Sequence, residues 1–250
     1  MTDNKNLPKI IENSGLALHK TRNLLSITDK ILASKTLAVV DDAWLDELIA
    51  WADKNDIPDY YFDFEEASWC GFHRDKQHKQ QILAMTQLVL VGNQLKELPE
   101  SIGNLTNLKW LDLGNNQLTE IPESIGNLTN LTGLDLRFNK LTELPESISK
   151  LTNLTMLLLG WNQLTELPEW IGKLTNLRSL DLGRNQLTEI PEFIGNLTNL
   201  TRLDLHRNQL TELPESIGNL TNLTKLHLSD NPIKSLPPEL SHLNRITDFD

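Results

Sequence analysis

The feature that most constrains this chain is a period. Asn93, Asn116, Asn139, Asn162, Asn185, Asn208 and Asn231 are separated by a constant step of 23 residues, and each sits in the same pattern, LxxLxLxxNxLxxLPxxIxxL. In the second unit the pattern is carried by Leu108, Leu111, Leu113, Asn116, Leu118, Ile121, Pro122, Ile125 and Leu128. A unit this short cannot bury its own leucines. It has to stack on copies of itself, so that each leucine becomes one member of a column and the columns form a continuous core.

The spacing inside the unit sets the local structure. Leu111 and Leu113 are two residues apart and point to one face of a strand, which leaves Trp110, Asp112 and Gly114 on the other. Each unit therefore supplies one short strand, and stacked strands lie ~4.8 Å apart. Asn116 and its equivalents follow the strand where the chain must turn inward, and a buried amide there can bond the backbone groups that the turn leaves unpaired. Pro99, Pro122, Pro145, Pro168, Pro191, Pro214 and Pro237 impose an extended or turn geometry on the return arm. The outer side is expected to hold extended segments and single helical turns, with no long helix.

This wording resembles the leucine-rich repeat family over roughly residues 82 to 250, about two thirds of the chain. The resemblance implies an α/β fold: a right-handed solenoid, or horseshoe, with a parallel concave β-sheet, built here from seven repeats and a partial eighth opened by Leu243, Ile246 and Phe249. It also implies a protein-binding module that uses its concave face.

Residues 1 to 81 lack the repeat and are expected to form a helical N-terminal region and cap, because the first coil would otherwise expose its apolar interior. Leu24, Ile27 and Ile31 suit a first helix. Trp44, Leu45, Leu48, Ile49 and Ala52, opening after Asp41 or Asp42, suit an amphipathic second one. The segment WLDELIAWADKNDIP looks like the lead-in that precedes the repeats of some bacterial leucine-rich repeat proteins.

The chain is 39% apolar and 23% charged, with no run of ~18 apolar residues to span a bilayer. A net charge of −11 argues against a nucleic-acid backbone as partner. The opening MTDNKNLPKIIENSG has no basic stretch followed by an apolar one, and Cys70 is the single cysteine. A cytoplasmic monomer is expected, with export by a signal-independent route left open. Twelve glutamates in two columns, Glu97 to Glu212 and Glu100 to Glu215, outnumber that charge. They are assigned to a solvated scaffold face; the alternative is a docking strip for a basic partner.

Variation concentrates at the outward strand positions and the residue after them. Trp110, Phe138, Met156, Leu158 and Trp161 gather apolar surface in the middle repeats, where partner anchors are expected. Rings lying flat on the neighbouring coil are the alternative. Arg184, Arg202, His206, Arg207 and Lys225 make the C-terminal half locally basic, and Arg137 completes the candidate partner-binding set. Those cations either neutralise the aspartates of the "LDL" strands or await an acidic stretch of a partner. Trp170 and Phe193 replace a serine on the outer arm and are expected to pack side by side.

No cofactor, metal site or catalytic set is expected. The six histidines show no metal-ligand spacing beyond the pair His206 and His227, and Cys70 with His73 and Asp75 lacks oxyanion donors and an ordering group. Two rival functions remain: the repeat portion of a bacterial effector carrying a ubiquitin-ligase-type domain, and a structural or adhesive surface protein.

Overall fold

The computed structural model describes residues 42–57, 61–63, 68–70, 79–238, 240 and 247–248. Leu24, Ile27 and Ile31, the eighth-unit residues Leu243, Ile246 and Phe249, and His73 with Asp75 lie outside them. Ala43–Asp250 form one compact unit.

Helix α1 (Ala43–Lys54) carries Asp46 in its first turn and Lys54 in its last, charges that complement the helix dipole. Its face of Leu45, Leu48, Trp51 and Ala52 is buried in the same core as the repeat leucines, with Trp44 and Ile49 packed against it. Two polar contacts fasten α1 to the first coil. The Trp51 indole N–H donates to the Glu97 carbonyl at 3.2 Å, and the Lys54 ammonium meets the Glu97 carboxylate at 2.9 Å. That ammonium also holds the exposed Glu97 carboxyl below its ordinary titration range, chiefly through the hydrogen bond.

Next comes a hairpin. Strand β1 (Tyr61–Asp63) pairs antiparallel with β2 (Ser68–Cys70), and β2 runs parallel to the first repeat strand with Cys70 opposite Val89. A short helix α2 (Lys79–Leu83) leads into the array and buries Ile82.

The seven repeat strands are β3 (Gln87–Val89), β4 (Trp110–Asp112), β5 (Gly133–Asp135), β6 (Met156–Leu158), β7 (Ser179–Asp181), β8 (Arg202–Asp204) and β9 (Lys225–His227). All are parallel and unslipped: Leu88, Leu111, Leu134, Leu157, Leu180, Leu203 and Leu226 lie opposite one another in succession. Strand β10 (Thr247–Asp248) adds to β9 in parallel, completing a sheet of ten strands in sequence order. The leucine columns behave as the spacing requires, with nearly every member fully buried.

The asparagine column closes each coil onto the next. The Asn139 amide oxygen accepts from the Leu118 N–H at 3.0 Å, and its amide nitrogen donates to the carbonyls of Leu113, Leu136 and Arg137 at 3.0, 3.0 and 3.3 Å. Asn116, Asn162, Asn185 and Asn208 repeat this geometry. A second column lies on the outer turns: Asn107, Asn130, Asn153, Asn176, Asn199 and Asn222 each donate to a carbonyl of the preceding coil at 2.6–2.9 Å. The recurring Asn-Leu-Thr-Asn wording is thus structural at its second asparagine.

On the return arm Pro99, Pro122, Pro145, Pro168, Pro191 and Pro214 sit at φ between −75° and −66° and each opens a five-residue 3-10 turn, such as Glu123–Asn127 after Pro122. Close stacking of these turns demands small residues. A Cβ on Gly126 would come within 2.6 Å of the Ser147 carbonyl, and Gly103 and Gly195 are equally crowded by Ser124 and Ser216. Where the serine is replaced, Trp170 is buried and Phe193 packs on the core, its Cβ 3.1 Å from where a Cβ of Gly172 would stand. The glutamate columns flank these turns, and two members of the second column cap the next coil: Glu100 and Glu192 accept from the N–H of Ser124 and Ser216 at 3.1 Å.

Candidate functional site

The exposed face of the sheet is a grid of four columns, defined by the straight strand register. The first column runs Trp110, Gly133, Met156, Ser179, Arg202, Lys225, and the second runs Asp112, Asp135, Leu158, Asp181, Asp204, His227. One step past the next buried leucine comes the third: Gly114, Arg137, Gly160, Gly183, His206, Ser229. Asn115, Phe138, Trp161, Arg184, Arg207 and Asp230 follow as the fourth.

The fourth column has unusual backbone geometry. All six residues have φ between 53° and 58°, in the left-handed region that L side chains avoid, and Gly92 occupies the same register in the first coil at φ 74°. The chain needs this turn because the next residue is the asparagine that must swing into the core. The strand ladder holds the turn in place: the N–H groups of Phe138, Trp161, Arg184 and Arg207 donate to the carbonyls of Gly160, Gly183, His206 and Ser229 at 2.7–3.0 Å. The same turn tips these side chains outward. A non-glycine residue held here costs of order 1–3 kcal/mol, so a phenylalanine, a tryptophan and two arginines in succession call for a compensating use.

Their packing is specific. The Phe138 and Trp161 rings stack with centroids 5.0 Å apart and planes 25° from parallel, and the Arg184 guanidinium lies 3.7 Å from the centroid of the Trp161 ring. Both rings remain open to water, 45% exposed for Phe138 and 43% for Trp161. Met156 and Leu158, half-buried, lie on the first and second columns of the Trp161 coil. Of the five apolar candidates, the structure stacks Phe138 on Trp161.

Trp110 separates from them. It is half-buried, and its ring lies over Gly133, where even a Cβ would overlap it. The flat-lying alternative applies to this ring, so the exposed apolar surface is narrower than the sequence expectation and displaced toward the fourth column. Arg137 is also occupied, through a fork of hydrogen bonds to the buried Asp135 carboxylate at 2.6–3.1 Å. That bond raises the Arg137 guanidinium above its ordinary pKa.

The aspartates of the second column are sunk rather than presented. Asp135 and Asp204 are buried, and Asp112, Asp135, Asp181 and Asp204 each accept the backbone N–H two residues on, at 2.9–3.2 Å. Burial lifts the Asp181 carboxyl above its usual range, more than the Gly183 N–H lowers it, and the neighbouring Asp204 charge adds to the rise. Asp204 is shared: His206 Nδ1 lies 2.7 Å from it, His227 Nδ1 3.2 Å and the Arg202 guanidinium 3.8 Å. Arg207 pairs with the exposed Asp230 at 2.6 Å, a hydrogen bond that holds the Asp230 carboxyl down. Arg184 and Lys225 have no carboxylate within salt-bridge distance among the described residues.

Sequence reasoning missed the left-handed column and the burial of the aspartates. Gly92 and Asn115, residue types that tolerate positive φ, were the available signal for the first. Among the described residues no group of three or more His, Cys, Asp or Glu could hold a metal ion, and no helix is long and apolar enough to cross a membrane.

Comparison with known proteins agrees with the fold. A family model for a leucine-rich repeat region matches residues 81–204 and 169–249. No curated protein gives a significant match. Among solved structures, the chain is similar to a leucine-rich repeat protein of Leptospira interrogans: TM-score 0.66 and 37% identity, covering 72% of this chain and 47% of that one. An internalin of Listeria monocytogenes aligns with TM-score 0.61 and 32% identity, over 70% of this chain and 51% of its own. The leucine-rich repeat ectodomain of the Arabidopsis thaliana membrane receptor kinase GASSHO1/SCHENGEN3, solved in complex with CASPARIAN STRIP INTEGRITY FACTOR 2, aligns with TM-score 0.59 and 34% identity, over 65% of this chain and 20% of that one. The chain spans about half the length of the first two.

Proposed function

Because the chain belongs to the leucine-rich repeat family, whose members typically mediate protein–protein interaction, we propose that it binds a protein partner through the exposed face of its parallel sheet. One observation carries this reading: the stacked, water-exposed Phe138 and Trp161 with Arg184 over the indole, all at left-handed positions. Exposed aromatics and arginines rimmed by polar groups are the usual anchors of interfaces, and the scaffold's need for this turn is met by glycine, as at Gly92, without such side chains. Around this anchor, Arg202, His206, Arg207 and Lys225 form the flank. No catalytic role is assigned to any residue. The plant ectodomain in the comparison was solved with a bound factor, which supports a protein ligand by analogy alone.

A cytoplasmic, monomeric protein is part of the proposal, and the single cysteine fits a reducing compartment. The effector and surface-protein alternatives differ in location, and cell fractionation with surface labelling separates them.

The test is a comparative capture from lysates of the source organism and of a host. Immobilised parent protein is set beside Phe138→Ala plus Trp161→Ala and, as a control on the scaffold face, Glu120→Gln plus Glu143→Gln. A partner of this face is retained by the parent and the glutamate variant and lost by the aromatic variant. Loss with the glutamate pair and retention with the aromatic pair assigns the partner to the outer surface and overturns the reading.

A further inference from the structure

The four exposed columns are not alike along the array, and the gradient has a direction. Coils three and four present the apolar anchor, Phe138 and Trp161, with Met156 and Leu158 half-buried on the same face. Coils five to seven present cations in layers. Arg202 is 49% exposed above the Asp204 carboxylate at 8%, while Lys225 is exposed and Arg184 is half-buried on the indole. The aspartates of the second column are sunk beneath it, with Asp204 buried and Asp181 half-buried, and the exposed Asp230 is taken up by Arg207. In a chain of net charge −11, the C-terminal half of the sheet face thus shows positive charge to water.

Resting on the sheet-face reading above, the geometry points to an extended acidic protein segment as the occupant: one apolar side chain seated on Phe138 and Trp161, with one carboxylate one or two residues away over Arg184 and others about six residues away over Arg202 and Lys225. Strand spacing and position along the coil set those distances. Each strand is only three residues long, so the long axis of the face runs across the strands, about 4.8 Å per coil. Arg184 lies one step, about 5 Å, from Trp161 in the same column, whereas Arg202 and Lys225 lie two and three steps on and five residues back along their coils in the first column, about 19 and 21 Å away on the diagonal; an extended chain covers roughly 3.3 Å per residue. Arg184 is held by the indole on one side, which leaves its N–H edge for a carboxylate. A nucleic-acid strand fits less well, because one or two exposed cations per coil must work against the overall negative charge.

The probe is a bead library of capped peptides of about twelve residues, roughly 40 Å when extended, screened with the full chain. Enriched sequences should carry Trp, Phe or Leu with at least two Asp or Glu, one of them one or two residues away and another about six. The best peptide, fluorescein-labelled, should bind about tenfold or more weakly to Trp161→Gly and to Arg184→Gln plus Arg202→Gln, and more weakly as NaCl rises from about 0.05 to 0.3 M. Trp161→Gly is chosen because Gly92 already occupies this register at positive φ, so the fold is retained and the melting curve verifies it. Enrichment of basic or uncharged peptides, or of acidic peptides indifferent to Trp161→Gly, overturns the segment. So does equal competition by a (dT)-oligonucleotide. An empty screen also overturns it, and if the lysate capture still yields an aromatic-dependent partner, the sheet-face reading survives without the segment. Peptides indifferent to every face variant overturn both.

Discussion

Asn139 shows how much a single side chain can do in a repeated fold. Its amide joins the turn of its own coil to the backbone of the one before it through four hydrogen bonds, while remaining only 7% exposed. Asn139→Ala leaves the Leu118 N–H unpaired, at roughly 1–3 kcal/mol, while the three carbonyls keep second donors in the Asn116 and Asn162 amides and the Asn115 N–H. In a chain of this size each kcal/mol lowers the melting midpoint by about 2–4 °C, so the variant should melt several degrees below the parent. An unchanged midpoint would remove the amide from the account of stability. Asp181 works in the opposite sense. Its folded-state pKa is raised, first by burial and then by Asp204, so ionisation at neutral pH is less favourable in the folded chain than in the unfolded one. Asp181→Asn keeps an acceptor for the Gly183 N–H and removes the charge. It should melt higher than the parent at pH 7, with the difference shrinking as pH falls through the carboxylate range, where both states of Asp181 become neutral. A variant that melts lower at neutral pH would mean that the ionised carboxylate is favoured here.

Among the elements, α1 matters for what it covers. A repeat array has two ends, and the first coil would expose Leu88, Ile102 and their neighbours if nothing lay on it. Helix α1 supplies Leu45, Leu48 and Trp51 to that core and ties itself to Glu97. Leu48→Ala removes a fully buried side chain and should cost about 2–5 kcal/mol. A fragment beginning at residue 82 should aggregate or unfold in part. If that fragment sediments as a monomer and melts like the parent, covering is not the work of the N-terminal segment. The strands show the complementary case. At three residues each they are too short to be stable alone, and the registered neighbours on both sides supply what length does not.

Across the whole molecule, the two glutamate columns put like charges on successive coils with few partners; Glu97 with Lys54 is an exception at the first coil. The carboxylates of Glu100, Glu120, Glu123 and Glu143 line one shallow cleft together with Leu98, Ile121, Pro122, Leu144 and Pro145. Repulsion along such columns destabilises the compact state and is screened by salt. The melting midpoint should therefore rise when NaCl is increased from about 0.05 to 0.5 M, a range over which the Debye length shrinks to a few ångströms. A fall would show that attractive pairs such as Arg137 with Asp135 outweigh the columns. The same addition of salt is expected to weaken an acidic ligand on the opposite face, so stability and affinity should move in opposite directions.

The period and the residues within it determined the coil, the strand, the leucine columns, the inward asparagine and the short outer turns. Each is a local demand met identically in every unit, and one unit read alone contains it. Accessibility was another matter. Whether Trp110 is an open anchor depends on Gly133 in the next coil, which lets the ring lie flat, and whether the "LDL" aspartates present charge depends on backbone N–H groups and imidazoles that reach them only after stacking. Phe138 and Trp161 stand in water because the turn that buries the asparagine holds its predecessor at positive φ. The β1–β2 hairpin likewise exists as an addition to an edge that the first repeat strand must first create. Side-chain exposure in a stacked array is set by neighbours one period away, so tertiary structure alone decided which of the variable residues form a surface.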